Sequence, residues 1–512
     1  MFGIFLEKHK YPKVYPRTMP RTAGLLLSVL LLLLLSPSVP ADPSIGLLSV
    51  PPPGSTRDWV SGVVGDVDPD DWCVVLYVQV DGRWWGPKPT WAEPLTPIRS
   101  DGFWNATFAT GGNDLASTRF AAYLLPRGVV PPALAGASTL PTVLAAYPCD
   151  ERARPAPAPR AAPSFARNGT ELVGLCVGPY LNGERPGETV LSPDVLRGRL
   201  SVVAPRTTWL RSYGVDGGLE RFGATAHALG RKAAVGAWLT ADPAANRRAL
   251  LALVGSGRAG DADFLIVGSE CLLRGDLSER DIVTYLEWIR REVPGVPVAT
   301  ADGYAQLLAH PAVVEASDLL VVHVYPFWEG SEIGAAPART LAAWESVAAV
   351  AGGRTVVIGE LGWPDAGAPQ GRAVPSAENA VRYLHETTAL LDARGVPYFY
   401  FSAFDEAWKT AEPGGVGPHW GLWTGDLVPK PGRFPLPATL LPVPGGSGRP
   451  GDLDGDGIVE DVNGNGRADF ADVVLLFNRM DWIAANEPIA AFDRNGNGRI
   501  DFADVVRLFG AL

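Results

Sequence analysis

The sequence predicts a three-part chain: a β-sandwich, then a (β/α)8 barrel, then a small helical module built on a duplicated acidic loop. Three patterns predict it. Short β-type runs broken by turn clusters occupy residues 44–150, eight β-runs separated by helical stretches occupy 167–434, and two near-identical loop–helix segments occupy 452–512. Pro-rich stretches at 151–166 and 435–451 have the composition of stiff, extended linkers and mark the boundaries. A chain of 512 residues has material for about three domains of ordinary size.

Bulk charge narrows the partners. A formal net charge of −11 with only 44 Lys+Arg, and no basic run outside the N-terminus, argues against a protein that tracks phosphates, so nucleic acid is not an expected partner. Residues 1–41 read as a secretory signal: Lys8, Lys10, Lys13, Arg17 and Arg21 precede an apolar core from Ala23 to Leu35, and the small-residue site "SVPA" ends at Ala41. That core falls short of the roughly 20 apolar residues a bilayer span needs. Cleavage after Ala41 is expected, with no membrane span left, so the mature chain is expected to be secreted or at the cell surface. Asn105 and Asn168 begin sequons compatible with glycosylation.

In the first part, "CVVLYVQV" and "RFAAYLLP" alternate with the turn clusters "DPDD", "SDG" and "GGND", the rhythm of a β-sandwich. Trp84, Trp85, Trp91 and Trp104 suit either a sugar-binding platform or the sandwich core and its edges. Cys73 and Cys149 bracket this part and form a candidate pair in an exported chain, although spacing does not define connectivity. Cys176 and Cys271 stand in apolar strand patterns and read as buried small hydrophobes.

In the second part the runs are "GLCVGPY" at 174, "TTWLRSYG" at 207, "AAVGAWLT" at 233, "DFLIVGSE" at 263, "VPVATADGY" at 296, "DLLVVHVYPFW" at 318, "TVVIGELGW" at 355 and "PYFYFSAFDEAW" at 397. Their mean spacing of about 32 residues and total span of about 250 are what eight βα units need. Barrel chemistry sits at the C-terminal ends of the strands. Glu270 ends the fourth run and Glu360 the seventh, on staves that face each other across the mouth. An unpaired buried carboxylate is costly, so an acid closing a Val-Val-Ile run needs a use or a cationic partner. Two carboxyl groups about 5–5.5 Å apart are the machinery of a retaining glycosidase, one attacking the anomeric carbon and the other protonating the departing oxygen. Unequal surroundings are then required, a like charge raising the pKa of one acid while hydrogen bonds keep the other ionised. The plainer alternative is that each Glu pairs with a nearby Arg or Lys.

The motifs "GLCVGPY", "LRSYG", "LIVGSE", "VHVYPFWEG", "VVIGELGWP" and "FSAFDEAWK…GPHWGLW" resemble, in this order, those of glycoside hydrolase family 17, the β-1,3-glucanases and glucan-remodelling enzymes, most closely their microbial branch. The resemblance covers the barrel, roughly half the chain. It implies Glu270 as acid/base and Glu360 as nucleophile, with Tyr325 orienting Glu360 through its hydroxyl. It further implies Tyr180, Tyr213, Trp363 and Trp408 as substrate contacts or stacking faces, since a pyranose presents an apolar face to aromatic rings. His323 reads as a packed, hydrogen-bonded strand residue. The chain departs from the family at Ser269, where the family usually places an Asn that is thought to grip the sugar 2-hydroxyl. Ser269 is shorter and would reach that hydroxyl through a water.

The third part repeats "DVNGNGRADFAD" from Asp461 and "DRNGNGRIDFAD" from Asp493, 32 residues later. Oxygen-bearing side chains at loop positions 1, 3, 5, 9 and 12, Gly at 6 and a carbonyl at 7 form the cage a hard, flexible cation such as Ca²⁺ takes. The ligands are Asp461, Asn463, Asn465, Asp469 and Asp472, then Asp493, Asn495, Asn497, Asp501 and Asp504, with Arg467 and Arg499 lending backbone oxygen only. Asp at position 12 and the duplicated loop–helix units look like a dockerin, which implies a cohesin-type protein partner; intramolecular docking and surface retention fit the tail equally. A third ion at Asp452, Asp454 and Asp456 repeats the ligand spacing but overlaps the next loop and has no helix of its own.

Together these patterns predict an exported retaining glycoside hydrolase acting on β-glucan, β-1,3-linked by the resemblance, with no cofactor needed for catalysis and two Ca²⁺ in the tail. The competing readings are a glucan transglycosylase and a non-catalytic polysaccharide-binding or surface-structural protein on a degenerate barrel.

Overall fold

The computed structural model describes residues 42–154, 163–165, 172–434, 440–453, 458–487 and 489–512. The expected signal segment 1–41, the Asn168 sequon, residues 155–162 and 435–439 of the expected linkers, and Asp454 and Asp456 lie outside the described residues. Among the described residues no helix is long and apolar enough to cross a membrane.

Nine strands form the first part: β1 (Ser44–Ser49), β2 (Trp59–Gly65), β3 (Trp72–Val80), β4 (Arg83–Lys88), β5 (Thr96–Pro97), β6 (Phe103–Thr107), β7 (Arg119–Pro126), β8 (Leu134–Ala137) and β9 (Cys149–Ala153). One antiparallel sheet runs β1-β2-β6 and the other β8-β4-β3-β7-β9, with β5 against β3. Their facing side chains, Val60, Val74, Leu76, Trp104, Phe120 and Leu124 among them, close a core. Alternation along β4 turns Trp84 inward and Trp85 outward. The four-tryptophan platform is thereby divided: Trp84 and Trp104 are buried, while Trp85 and Trp91 stay exposed.

The Cys73–Cys149 pairing does not form, and all four cysteines are free thiols. Cys73 on β3 lies opposite Leu125 of β7, and Cys149 on β9 lies opposite Tyr123 of the same strand. A whole strand intervenes, a separation of roughly 9–10 Å where a disulfide needs Cα atoms within about 7 Å.

The second part is a closed parallel barrel of β10 (Leu172–Cys176), β11 (Thr207–Arg211), β12 (Lys232–Ala237), β13 (Phe264–Ser269), β14 (Val298–Gly303), β15 (Leu320–His323), β16 (Val356–Leu361) and β17 (Tyr398–Tyr400). All eight expected runs become staves. Parallel strands covered on both faces read as continuous apolar runs, and every residue of β16 is accordingly buried. Outside lie α1 (Pro193–Val203), α2 (Phe222–Ala228), α3 (Pro243–Arg258), α4 (Glu279–Glu292), α5 (Tyr304–Ala309), α6 (Pro311–Ala316), α7 (Ala336–Val350) and α8 (Ala377–Ala393). Ser192, Asp242, Ser278 and Ser376 start α1, α3, α4 and α8 by accepting backbone N–H bonds that the first turn leaves unpaired. Phe165, from the linker, stacks on Trp209 at 4.8 Å and lies edge-on to Phe264 and Phe399, joining the barrel core.

The sandwich is welded to the barrel through α4, the helix that follows the fourth stave. Phe103 meets Tyr285 and Trp288 edge-on at 5.1 and 5.6 Å. Tyr285 donates to Asp101 at 2.7 Å, and Arg99 bonds to Asp101, Asp281 and Tyr285. Leu48, Trp59 and Phe103 belong to the same buried cluster as the barrel interior. Apolar burial combined with paired charges holds the two parts as one body, whereas domains with small polar interfaces move freely.

The third part packs α9 (Phe470–Asn486), α10 (Ile489–Phe492) and α11 (Phe502–Ala511) around Val473, Leu476, Ile483, Phe492, Val505 and Leu508.

Candidate active site

β13 ends in a register shift between Ile266 and Ser269. The next residue, Glu270, takes a left-handed backbone at φ 55°, uncommon for any residue but glycine, and donates its N–H to Ala301 O at 2.8 Å. The neighbouring staves are aligned so that His323 of β15 lies opposite Glu360 of β16. One carboxylate oxygen each from Glu270 and Glu360 and a ring nitrogen of His323 all lie within 4.8 Å of one another.

His323 stands between the two acids, with Nδ1 2.9 Å from Glu270 Oε1 and Nε2 3.2 Å from Glu360 Oε1. Arg211 Nη1 lies 3.1 Å from Nε2, and on the other side of the ring Nδ1 donates to the Glu270 carboxylate. Burial pushes the Glu270 carboxyl up, but the His323 hydrogen bond and the nearby guanidinium charges of Arg274 and Arg211 outweigh it and hold the pKa below the ordinary value. The sequence argument expects a like charge to raise one acid. At Glu270 the cationic neighbours win instead.

Glu360 is buried, with Tyr325 donating to Oε2 at 2.7 Å and Arg211 Nη1 3.2 Å from Oε1. Burial and the Glu360 charge both push the Tyr325 hydroxyl well up, so it remains a donor. Arg211 is 1% exposed and also donates to Gly359 O at 2.6 Å and Ser269 Oγ at 3.2 Å. Burial opposes its charge, and Tyr213 and Glu360 more than restore it. Gly359 is required by this approach: a Cβ there would fall 2.3 Å from Val321 Cγ1 and 3.0 Å from Arg211 Nη1.

The other expected contacts divide. Tyr213 lies under the Arg211 guanidinium, 4.9 Å from it, and edge-on to Phe401. Trp408 is half-buried at the mouth of the eighth stave with Lys409 Nζ over its ring at 5.4 Å. Tyr180 is buried against the loop at Gly217. Trp363 offers almost no surface to a ligand, being 1% exposed with its indole N–H bonded to Val374 O at 3.0 Å. Phe327 and Tyr383 pack against the ring at 5.4 and 5.5 Å, so Trp363 has no free face on which a sugar could stack. Ser269 is buried with its hydroxyl engaged by Arg211, and its observed partner is that guanidinium.

Sequence reasoning missed Arg211 and the buried pair Glu406–Lys409, joined at 2.7 Å. Burial lowers Lys409, and Glu406 and Glu412 more than offset it. Gly178 leaves the space this pair needs, since a Cβ there would lie 2.1 Å from Glu406 Oε1. The available signal was a lone cation closing an apolar β-run, at Arg211, and an acid and a base three residues apart after the last stave.

The tail loops fold alike. Asp461 accepts from the N–H groups of Asn465 and Gly466 at 3.0 and 2.6 Å, as Asp493 does from Asn497 and Gly498 at 3.1 and 2.7 Å. Asp472 and Asp504 are fully buried and close each loop by accepting from residues at loop positions 3 and 9. Both also complete capping boxes, with Asp469 and Asp501 as N-caps of α9 and α11. Burial pushes the Asp472 carboxyl up, and Asn463 Oδ1 is buried without a hydrogen-bond partner. Orphaned oxygen beside buried carboxylates fits a cation, so these residues suit the ion their spacing implies.

A closed parallel barrel whose mouth sets two glutamates this close is built as a glycoside hydrolase. A family model for the BtgE/BtgC glycoside hydrolase domain matches residues 174–421, and one for the dockerin type I domain matches residues 459–512. A glucan 1,3-beta-glucosidase of Saccharomyces cerevisiae is 30% identical over 229 residues, 40% of this chain and 73% of the relative. A glucan 1,3-beta-glucosidase of Arthroderma benhamiae is 34% identical over 183 residues, 32% of this chain and 59% of the relative. Among solved structures, a family 17 β-1,3-glucanosyltransferase from Rhizomucor miehei is 30% identical with a TM-score of 0.47, covering 52% of this chain and 97% of that one. The chain belongs to glycoside hydrolase family 17 and carries a dockerin type I domain.

Proposed function

We propose that this protein is an exported retaining hydrolase of β-1,3-glucan in which Glu360 is the nucleophile and Glu270 the acid/base. The observation that carries the reading is that one carboxylate oxygen of Glu270 and one of Glu360 lie within 4.8 Å of each other, an approach that suits the about 5–5.5 Å of retaining pairs better than the about 6.5–9.5 Å of inverting ones. The relatives named as glucan 1,3-beta-glucosidases support the substrate.

Tyr325 and Arg211 fix the aim of Glu360 at the anomeric carbon. Glu360 forms a bond to that carbon as the glycosidic bond breaks, and the Glu270 proton passes to the leaving oxygen. Water then attacks the glycosyl-enzyme, Glu270 takes its proton, and the Glu360 ester bond breaks. In the tail, Asp461, Asn463, Asn465, Asp469 and Asp472, and their counterparts from Asp493 to Asp504, would hold Ca²⁺, which supplies charge neutralisation and folding free energy and takes no part in the sugar chemistry. A cohesin-type partner for this tail follows from the dockerin type I match.

Two outcomes test the catalytic reading. Proton NMR of laminari-oligosaccharide cleavage should show the β-anomer as first product; first-formed α-anomer would overturn double displacement. The second concerns pH. Glu270 must be protonated to act as acid, so a pKa held low by His323 places the basic limb of kcat/KM on the acidic side of an unassisted carboxyl's. His323→Leu removes the Nδ1 donor and puts none in its place, Glu270 rises, and the basic limb moves to higher pH. An unmoved limb would remove His323 from the control of Glu270.

A further inference from the structure

We infer that Trp238, on the barrel lip beside the acid/base loop, is a stacking platform for the saccharide on the leaving-group side, and that it governs how well a second sugar competes with water for the glycosyl group. The inference rests on the two-glutamate reading above.

β12 ends at Ala237, and Ala237 and Leu239 are buried at 1% and 0% exposure, yet Trp238 between them is 46% exposed. A large aromatic left in water at the mouth of a barrel has surface to give to a ligand. The ring is also held. The Arg274 guanidinium covers one face at 4.4 Å, and Arg274 is itself anchored through Asp276 at 2.7 Å, Leu239 O at 2.8 Å and Ser269 O. A cation fixed over one face of an indole keeps it from rotating, so little side-chain freedom is lost when a sugar covers the other.

The side of the mouth follows from the same contacts. Arg274 lies in the loop after Glu270 and is tied to the backbone of the residue before it. Leu273, in that loop, is 43% exposed. The acid/base protonates the oxygen that joins the glycosyl group to its leaving group, so the surface next to its loop is where the departing saccharide lies and where an acceptor returns. Trp238 and Leu273 give that surface an apolar patch matching the C–H face of a pyranose.

The experiment compares full-length wild type and Trp238→Ala on two substrates: laminaripentaose, which occupies both sides of the scissile bond, and β-laminaribiosyl fluoride, whose leaving group is a single atom that reaches no platform. With Trp238→Ala, KM for laminaripentaose should rise about tenfold, the scale of one lost aromatic contact. The ratio of transfer to hydrolysis products at high oligosaccharide should fall, and kcat/KM on the glycosyl fluoride should stay within about twofold. Trp238→Phe should recover most of the transfer product. Equal losses on both substrates, or no change on either, would overturn the platform. A wild-type chain inert to both would overturn the glycosidase reading itself, and the platform with it.

Discussion

Glu360→Gln is expected to lose at least about 10⁴-fold in kcat on laminari-oligosaccharides, the scale seen when a covalent nucleophile is removed. An amide cannot form the glycosyl ester, and no other described carboxylate has the same contacts to Tyr325 and Arg211. The barrel should still fold. Arg211, buried at 1% exposure, loses its one ion pair among the described residues but keeps Gly359 O and Ser269 Oγ, with the Glu270 charge nearby. Removing one partner of a buried ion pair costs up to about 3–5 kcal/mol, and these remaining contacts offset part of that. A lowered but still cooperative melting transition would therefore separate lost chemistry from lost structure. Glu360→Gly supplies a second measurement: azide entering the vacated space should restore turnover of an activated aryl glycoside and leave a glycosyl azide of inverted configuration. Wild-type rates from Glu360→Gln would end the two-glutamate mechanism.

The same variant bears on whether this is a spent scaffold. A non-catalytic barrel needs neither acid, yet the chain buries a guanidinium, places a glycine at 359 to admit it and threads His323 between both carboxylates. Burying these charges costs stability, and no structural benefit requires Glu270 to take a left-handed backbone.

What the sequence made legible was whatever follows a local period. The eight staves are contiguous apolar runs, so their existence and order could be read directly, and the tail loops could be aligned because calcium-type spacing is a local code. Long-range placement was not legible. That Trp363 has no free face depends on Phe327 and Tyr383 packing against its ring, and that Cys73 and Cys149 are separated depends on β7 entering between their strands. Arg211 escaped notice because its function lies in contacts to residues 58, 112 and 148 positions away. The weld between Asp101 and Tyr285 escaped for the same reason, with 184 positions between them. The sequence also carried the expectation that like charge raises one acid, but the sign at Glu270 depends on which neighbours arrive, and only the fold brings the His323 donor and the Arg274 and Arg211 cations there.

Removing calcium is expected to unfold the tail while leaving the barrel intact. The module is small, its core resting on about ten buried apolar side chains, and domains of this size seldom supply enough burial without a metal or a cross-link. Each loop meanwhile gathers several carboxylates around a backbone that turns its N–H groups inward. Asp472 and Asp504, both fully buried, would have only backbone N–H donors and no countercharge without a cation, and they also complete the capping boxes of α9 and α11, so loss of the ion reaches the helices directly. At a calcium concentration of 100 times the dissociation constant, one site adds about 2.7 kcal/mol to stability, and two coupled sites add more. In the full-length chain, hydrogen exchange is the discriminating readout. EGTA should collapse protection across α9 and α11 and leave β10–β17 unchanged, with activity on short oligosaccharides retained. Asp472→Ala should do the same to α9 even with calcium present. Because Mg²⁺ demands tight octahedral geometry and dehydrates reluctantly, it should not restore protection at equal concentration. Helices that stay protected in EGTA would mean that the caps and the apolar core suffice alone, and that the loops close on their own hydrogen bonds without an ion.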